Sequence, residues 1–84
     1  MEQNESNMMK KFIENTIKQM TDYPDEIRVA EIAGEHLSIY ELRCHEQDIG
    51  RVIGKNGSTI AAVRVLLGVM ASKQGRRAIL EVVD

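Results

Sequence analysis

The chain has 84 residues, of which 43% are hydrophobic, and this is enough for one small domain around a single core. Its one cysteine, Cys44, excludes an internal disulfide, and no apolar run is long enough to cross a bilayer. We therefore expect a cytoplasmic protein without membrane contact. The net charge of −2 argues against binding a nucleic acid by charge alone.

The beginning of the chain predicts one amphipathic helix. Residues 1–7 are polar, and we expect them to form a disordered N-terminal tail, with the folded domain covering residues 8–84. From Met8 to Thr21, apolar residues recur at helical spacing, so one face of this helix should pack on a core. Pro24 should end the helix, because proline disfavours helical geometry in the residue before it.

Two β-strands are predicted next. Residues 27–33 and 37–44 have strand-like patterns, and the turn at Gly34-Glu35 should make them antiparallel neighbours. The apolar alternation of the second strand slips at Ile39-Tyr40. This slip predicts a bulge or a change of face at that point.

The second half of the chain predicts two helices and a strand. A short helix should cover about 46–53, with Gly54 in the left-handed position that often follows a helix. A longer helix should cover 58–73, and the alternation of residues 77–83 predicts a final strand. The order helix, strand, strand, helix, helix, strand predicts an α+β fold, with a three-stranded sheet and three helices packed on one of its faces.

The turn Gly54-Lys55-Asn56-Gly57 between these two helices carries the clearest chemistry. The two glycines let the backbone approach a ligand closely, since no Cβ is in the way. Lys55 supplies a positive charge and Asn56 a hydrogen-bond donor, and Ser58 opens a helix whose first N–H groups favour an anion. Together these features predict a clamp for a sugar-phosphate backbone.

The distribution of charge supports this interpretation. Residues 1–48 carry five basic and eleven acidic side chains, a net of −6, whereas residues 49–84 carry six basic and two acidic ones, a net of +4. The basic charge therefore lies in the half that contains the turn. The alternative is a chance segregation of solvated surface charges.

The run Asp48-Ile49-Gly50-Arg51-Val52-Ile53-Gly54-Lys55-Asn56-Gly57-Ser58-Thr59-Ile60 resembles the helix–GXXG–helix signature of KH domains, and the element order is that of a type II KH domain. The resemblance covers roughly residues 8–83. With no other domain attached, the chain looks like the small stand-alone bacterial KH proteins of the KhpA type.

The resemblance implies a groove that takes about four single-stranded nucleotides. Ile49 and Ile53 are four residues apart, as are Gly50 and Gly54, and these two rows could form the floor of that groove. Arg51 and Arg64 are candidates for flanking phosphate contacts, whereas Val52 and Ile60 should belong to the core. The predicted RNA-binding residues are Ile49, Gly50, Arg51, Ile53, Gly54, Lys55, Asn56, Gly57, Ser58 and Arg64.

No enzyme or metal site is predicted. Three residues separate Gly50 from Gly54-Lys55, and Asn56 stands where a nucleotide-hydrolysing P-loop needs Ser or Thr for Mg²⁺. His36 and His45 lack the spacing of metal ligands, and no nucleophile–base arrangement is evident. We therefore expect no catalysis, metal, cofactor or small-molecule substrate.

The longer helix also predicts a protein partner. Between Ile60 and Ala71 its only polar side chain is Arg64. Such a helix is usually buried on more than one side. Its predicted sheet contacts are Ile60, Val63, Leu66, Leu67 and Met70, and its predicted dimer contacts are Ala61, Arg64, Val65 and Gly68. The alternative is a wide apolar face fully covered within a monomer.

KhpA-type proteins self-associate and pair with a larger KH protein of the Jag (KhpB) type, so the resemblance implies a homodimer, a heterodimer or both. Two functions follow as hypotheses. The first is a sequence-tolerant single-stranded RNA-binding protein, acting as a post-transcriptional regulator or RNA chaperone. The alternative is a protein-interaction adaptor that pairs with a Jag-type partner and contacts RNA only secondarily.

Overall fold

The apolar patterns fold into three helices and three strands in the computed structural model, which describes residues 4–83. The α+β fold and the order helix, strand, strand, helix, helix, strand are confirmed. The helices are α1 (Asn4–Lys18), α2 (Ile49–Ile53) and α3 (Ser58–Lys73), the strands are β1 (Arg28–Ala33), β2 (Leu37–Arg43) and β3 (Arg77–Val82), and single 3₁₀ turns cover Pro24–Glu26, Glu46–Asp48 and Lys55–Gly57.

Helix α1 differs from its predicted bounds at both ends. It begins at Asn4 and not at Met8, and it ends at Lys18 and not at Thr21. Residues 4–7 of the predicted tail are therefore helical, while residues 1–3 lie outside the described residues. Apolar periodicity reports only the part of a helix that packs on a core, so it gives no signal for a polar first turn.

The three strands form one mixed sheet in the order β1-β2-β3. Strand β1 is antiparallel to β2, and β3 is parallel to β2. The prediction of a bulge or a change of face in β2 is wrong, because Ile39 pairs directly with Ile32 and Tyr40 directly with Glu31, and burial alternates regularly along the strand. Neighbouring apolar residues occur here because Tyr40 faces the core while Ile39 lies on the opposite, open face.

The core lies between one face of the sheet and the helices. Its largest fully buried side chain is that of Tyr40, whose hydroxyl donates to Glu31 Oε2 at 3.2 Å. Burial, and secondarily the Glu31 charge, raises the pKa of Tyr40 to about 12. The other core side chains are Met9, Ile13 and Ile17 of α1, Val52 of α2, Ile60, Val63, Leu67 and Ala71 of α3, and Ile27, Val29, Leu42 and Leu80 in and beside the sheet.

The turn between β1 and β2 is held by an arginine from the segment that follows α3. The Arg76 guanidinium donates to the carbonyl oxygens of Gly34, Glu35 and Leu37, and to Ser38 Oγ at 2.7 Å. Ser38 is itself fully buried. These bonds fix the end of α3 against the sheet, and they thereby fix the orientation of the helix that begins at the GXXG turn.

Candidate nucleic-acid interface

The predicted helix 46–53 is divided into two parts. A 3₁₀ turn covers Glu46–Asp48, and α2 follows as Ile49–Ile53. Within α2, Val52 is fully buried and Ile49 and Ile53 are half-buried, whereas Gly50 and Arg51 are exposed. The buried positions of Val52 and Ile60 confirm that these two residues belong to the core.

Asp48 anchors the start of α2, which the sequence did not reveal. The Asp48 side chain is fully buried, and its two carboxylate oxygens accept the backbone N–H groups of Asp22 and Tyr23, each at 2.9 Å. Bonds of this kind offset the cost of burying a carboxylate. The carboxylate thus ties the segment after α1 to α2, and α2 in turn leads into the GXXG turn.

Gly54 ends α2 in a conformation that only glycine adopts readily. Its φ is 81° and its ψ is 169°, so the predicted left-handed helical conformation is wrong although φ is positive. A Cβ at Gly54 would overlap the Thr59 side chain and would lie 2.7 Å from the Thr59 backbone nitrogen. The close approach of Thr59, rather than the end of α2 alone, therefore requires glycine at this position.

The tip of the turn is left-handed and exposed. Asn56 has φ 56° and ψ 27°, and Gly57 has φ 74° and ψ 14°. Two hydrogen bonds close the turn, from Gly57 N–H to the Gly54 carbonyl and from Ser58 N–H to the Lys55 carbonyl. The Lys55, Asn56 and Ser58 side chains are exposed, and a Cβ at Gly57 would meet no atom within 4 Å. The turn is therefore rigid at its base and open at its tip.

The two arginines predicted to flank the groove have partners within the chain. Arg51 lies 3.4 Å from the Asp22 carboxylate in an exposed ion pair. Arg64 donates through Nε and Nη2 to the Leu80 carbonyl of β3, at 3.1 and 2.9 Å. Lys55, in contrast, makes no ion pair with any side chain of residues 8–83. Lys55 is thus the side chain of the turn whose charge is available to a ligand.

The predicted site residues fall into two groups. Ile49, Gly50, Ile53, the GXXG turn and Ser58 are contiguous through α2 and the start of α3. A Cβ at Gly50 would meet no atom within 4 Å, so the space above Gly50 is open. Arg51 and Arg64 form the second group. The ion pair of Arg51 directs its guanidinium toward Asp22, and the hydrogen bonds of Arg64 direct its guanidinium toward the Leu80 carbonyl of β3.

An apolar groove of about 360 Å³ lies beside the turn, on the flank of α3 that faces α1. It was not predicted, because its walls come from two parts of the chain that are far apart in sequence, α1 with the residues just after it and α3. Leu66 lines it and is 53% exposed, so the prediction that Leu66 packs on the sheet is wrong. Other lining residues are Thr16, Met20, Ser58, Thr59 and Ala62.

Helix α3 leaves a further apolar surface open. Val65 and Val69 are 65% and 63% exposed, and Ala61 is exposed on the first turn of the same helix. Of the predicted dimer contacts, Gly68 is half-buried and Arg64 is bonded to β3. The outer surface of α3 is therefore apolar over most of its length.

No cluster of three metal-ligating side chains occurs within residues 4–83. Over the same residues, no single helix is long and apolar enough to span a bilayer. One pair of helical segments, Glu46–Ile53 and Lys55–Lys73, reaches that length and composition when taken together, but the two segments meet at a bend of 47°.

Comparison with known families agrees with this architecture. A family profile described as KhpA/KhpB, KH domain, matches residues 10–82. The chain belongs to this family. Its match includes all three strands, α2, the GXXG turn and α3. No solved structure was found to match the chain.

Several curated relatives carry the name RNA-binding protein KhpA. The one from Chlamydia pneumoniae is 45% identical over 76 residues, which are 90% of this chain and 97% of the relative. The one from Borreliella burgdorferi is 42% identical over 72 residues, 86% of this chain and 88% of the relative. The one from Clostridium acetobutylicum is 37% identical over 75 residues, 89% of this chain and 100% of the relative.

Proposed function

We propose that this protein binds single-stranded RNA, with the GXXG turn gripping the sugar-phosphate backbone. The observation that carries the proposal is the geometry of the turn. Gly54 packs so closely on Thr59 that no side chain fits at this position, while Lys55 and Asn56 are exposed at the tip. A rigid turn with a bare backbone lets phosphates approach at little cost in conformational entropy. Names of the relatives, which refer to RNA binding, support the same function.

Each part of the turn has a role in this proposal. Lys55 attracts a phosphate as a point charge, and Asn56 donates hydrogen bonds to phosphate or sugar oxygens. Ser58 N–H donates to the Lys55 carbonyl, and the N–H groups that follow it in the first turn of α3 have no partner within the helix and favour an anion. Unpaired bases then lie over Ile49, Gly50 and Ile53, where the half-buried isoleucines and the open space above Gly50 form a shallow apolar floor.

The balance of charge sets the strength of the interaction. A chain with net charge −2 binds phosphates through few cations, so affinity should depend on the shape of the turn as well as on charge. The affinity for a single strand should fall with salt, with a log–log slope of about −0.7 for each phosphate contacted. We propose that the protein acts through this binding as a post-transcriptional regulator or RNA chaperone in the cytoplasm.

A matched pair of charge reversals tests the proposal. Lys55→Glu places a negative charge at the tip of the turn, and Lys11→Glu makes the same change in net charge at an exposed position of α1. Binding to an unstructured RNA, followed by fluorescence anisotropy, should be lost in the first variant and nearly unchanged in the second. Equal losses in both would mean that only overall charge matters, and no loss in either would refute the clamp.

A second role, as a protein-interaction adaptor, is favoured by the exposed side of α3. Exposed valines and Ala61 form a continuous apolar surface, and we infer that a second copy or a larger KhpB-type KH protein covers it. Val65→Lys should then abolish association seen by sedimentation. Gln19→Lys adds the same charge at another exposed position and should leave association intact. A wild type that is monomeric at high concentration and binds no KhpB-type protein would refute this role.

A further inference from the structure

The open face of the sheet carries an ordered pattern of side chains. Ile32, Ile39 and Ile79 stand side by side across the three strands in direct register. Ile32 is 56% and Ile79 37% exposed, and none of the three belongs to the core. An exposed apolar row of this kind on a small domain is typical of an interaction surface.

Opposite charges flank the isoleucine row on its two sides. Two residues beyond it, Glu41 and Glu81 are paired in register on β2 and β3. Glu41 forms an ion pair at 3.8 Å with Arg43 on the same face, so Glu81 is the acid beside the row that makes no ion pair among the described residues. Two residues before it, Leu37 is paired with Arg77. Since side chains two apart in a strand share a face, all these residues lie on the open face.

We propose that the open face pairs with the same face of a second copy of this chain. A two-fold axis along the isoleucine row places isoleucine on isoleucine and reverses the direction of each strand. Arg77 of each copy then lies opposite Glu81 of the other, which makes two symmetric opposite-charge pairs. The other possible two-fold axis, parallel to the strands, would place β3 of one copy over β1 of the other and Glu81 opposite Ala30, so it forms no pair between Arg77 and Glu81.

The size of the face sets the expected affinity. Three strands about 4.8 Å apart and six residues long, at about 3.3 Å per residue, give a flat area of roughly 280 Å². A stable protein interface buries about 800 Å² on each partner, so this pairing belongs to the weak, transient class. Self-association through the sheet should therefore appear only as the concentration approaches the millimolar range. The surface is separate from α3 and does not depend on RNA binding.

The charge pattern provides the test. All variants are made in a Val65→Lys background, so that association through α3 does not contribute, and circular dichroism checks that each variant is folded. Arg77→Glu alone should place acid against acid, and Glu81→Arg alone should place base against base. Each single variant should associate at least about tenfold more weakly than the parent, measured by concentration-dependent amide shifts and sedimentation.

An equimolar mixture of the two single variants restores both opposite-charge pairs between unlike copies. The mixture should therefore associate as strongly as the parent, and so should the double variant R77E/E81R. The proposal is overturned if the parent is monomeric at millimolar concentration, if either single variant associates as the parent does, or if neither the mixture nor the double variant recovers. The proposal is also overturned if the amide signals of Ile32, Ile39 and Ile79 shift when RNA is added but do not shift when the protein concentration is raised.

Discussion

Replacing Gly54 by alanine should damage the domain more than any other single change in the GXXG turn. At φ 81° and ψ 169°, an alanine occupies a region of backbone conformation used almost only by glycine. Its methyl group would also lie 2.6 Å from Thr59 Cβ and 2.7 Å from the Thr59 nitrogen. Both penalties act in the folded state alone, so they subtract directly from stability.

The expected magnitude follows from these two terms. Backbone strain of this kind costs about 1–3 kcal/mol, and an overpacked contact that cannot relax costs a further ~1–3 kcal/mol. The sum is roughly 2–6 kcal/mol, against a total stability on the order of 4–13 kcal/mol for a domain of this size. Because 1 kcal/mol shifts Tm by about 4–8 °C in a small domain, Gly54→Ala should lower Tm by at least ~10 °C.

Gly57→Ala is the matched control. Gly57 also has a positive φ, of 74°, but its added methyl group would meet no atom within 4 Å. Only the left-handed backbone penalty of about 1–2 kcal/mol then applies. Urea and thermal unfolding of both variants, followed by circular dichroism, should therefore give a loss for Gly54→Ala at least about twice that for Gly57→Ala.

A second substitution at Thr59 tests whether the Thr59 hydroxyl or the Thr59 backbone obstructs a methyl group at residue 54. Thr59→Ala removes the hydroxyl, but the Cβ and the backbone nitrogen that lie closest to a new methyl group remain in place. Thr59→Ala should therefore fail to restore the stability of Gly54→Ala. Equal losses in the two glycine variants, or full recovery with Thr59→Ala, would refute the argument that the backbone of Thr59 is the obstacle.

Three further predictions concern residues around the turn and in the core. Gly50→Ala should leave stability unchanged or raise it by about 0.5–1 kcal/mol, since Gly50 is helical and unobstructed, yet the methyl group should weaken RNA binding in the anisotropy assay. Asp48→Ala should cost about 3 kcal/mol in urea unfolding, because it leaves two backbone N–H groups without their acceptor. Burial raises the pKa of Tyr40 from 10.0 to about 12, so stability should fall as pH rises from 10 to 12, and Tyr40→Phe should lessen this fall. An unchanged pH profile in Tyr40→Phe would show that another group is responsible.

Features set by local sequence were predicted well. Helix α3 has its predicted bounds, residues 58–73, because Gly57 directly before it and Gly75 two residues after it provide strong local signals. The position of the turn between two helices, the order of helices and strands along the chain, and the buried roles of Val52 and Ile60 follow in the same way from spacing. The place of β3 beside β2 in the sheet was not predicted. The bulge at Ile39-Tyr40 failed because a slip in alternation also arises when both faces of a strand are apolar.

Features set by contacts between distant parts of the chain were missed. Asp48 was predicted only as part of the short helix 46–53, yet its carboxylate accepts backbone N–H groups that lie 25 and 26 residues away. The hydrogen bonds from the Arg64 guanidinium to a carbonyl of β3, 16 residues away, were not predicted either, and the contact of Arg64 with RNA or a partner stays a prediction. Periodicity carries no information on such pairs, because the tertiary fold alone brings them together.

The geometry of α3 makes RNA binding and partner binding compatible. The helix rises about 1.5 Å per residue, so Ala61 lies roughly 6 Å along its axis from Gly57, and Val65 and Val69 lie roughly 12 and 18 Å from it. The valines are thus the part of the partner surface that is distant from the turn. The proposed bases extend in the other direction, over Ile49 and Gly50 of α2. Gly54 is locked against Thr59, so the turn has little freedom to move relative to α3. A partner on the distal valines would therefore hold a second turn at a fixed separation, and one RNA strand long enough to reach both turns would bind more tightly than it binds either alone.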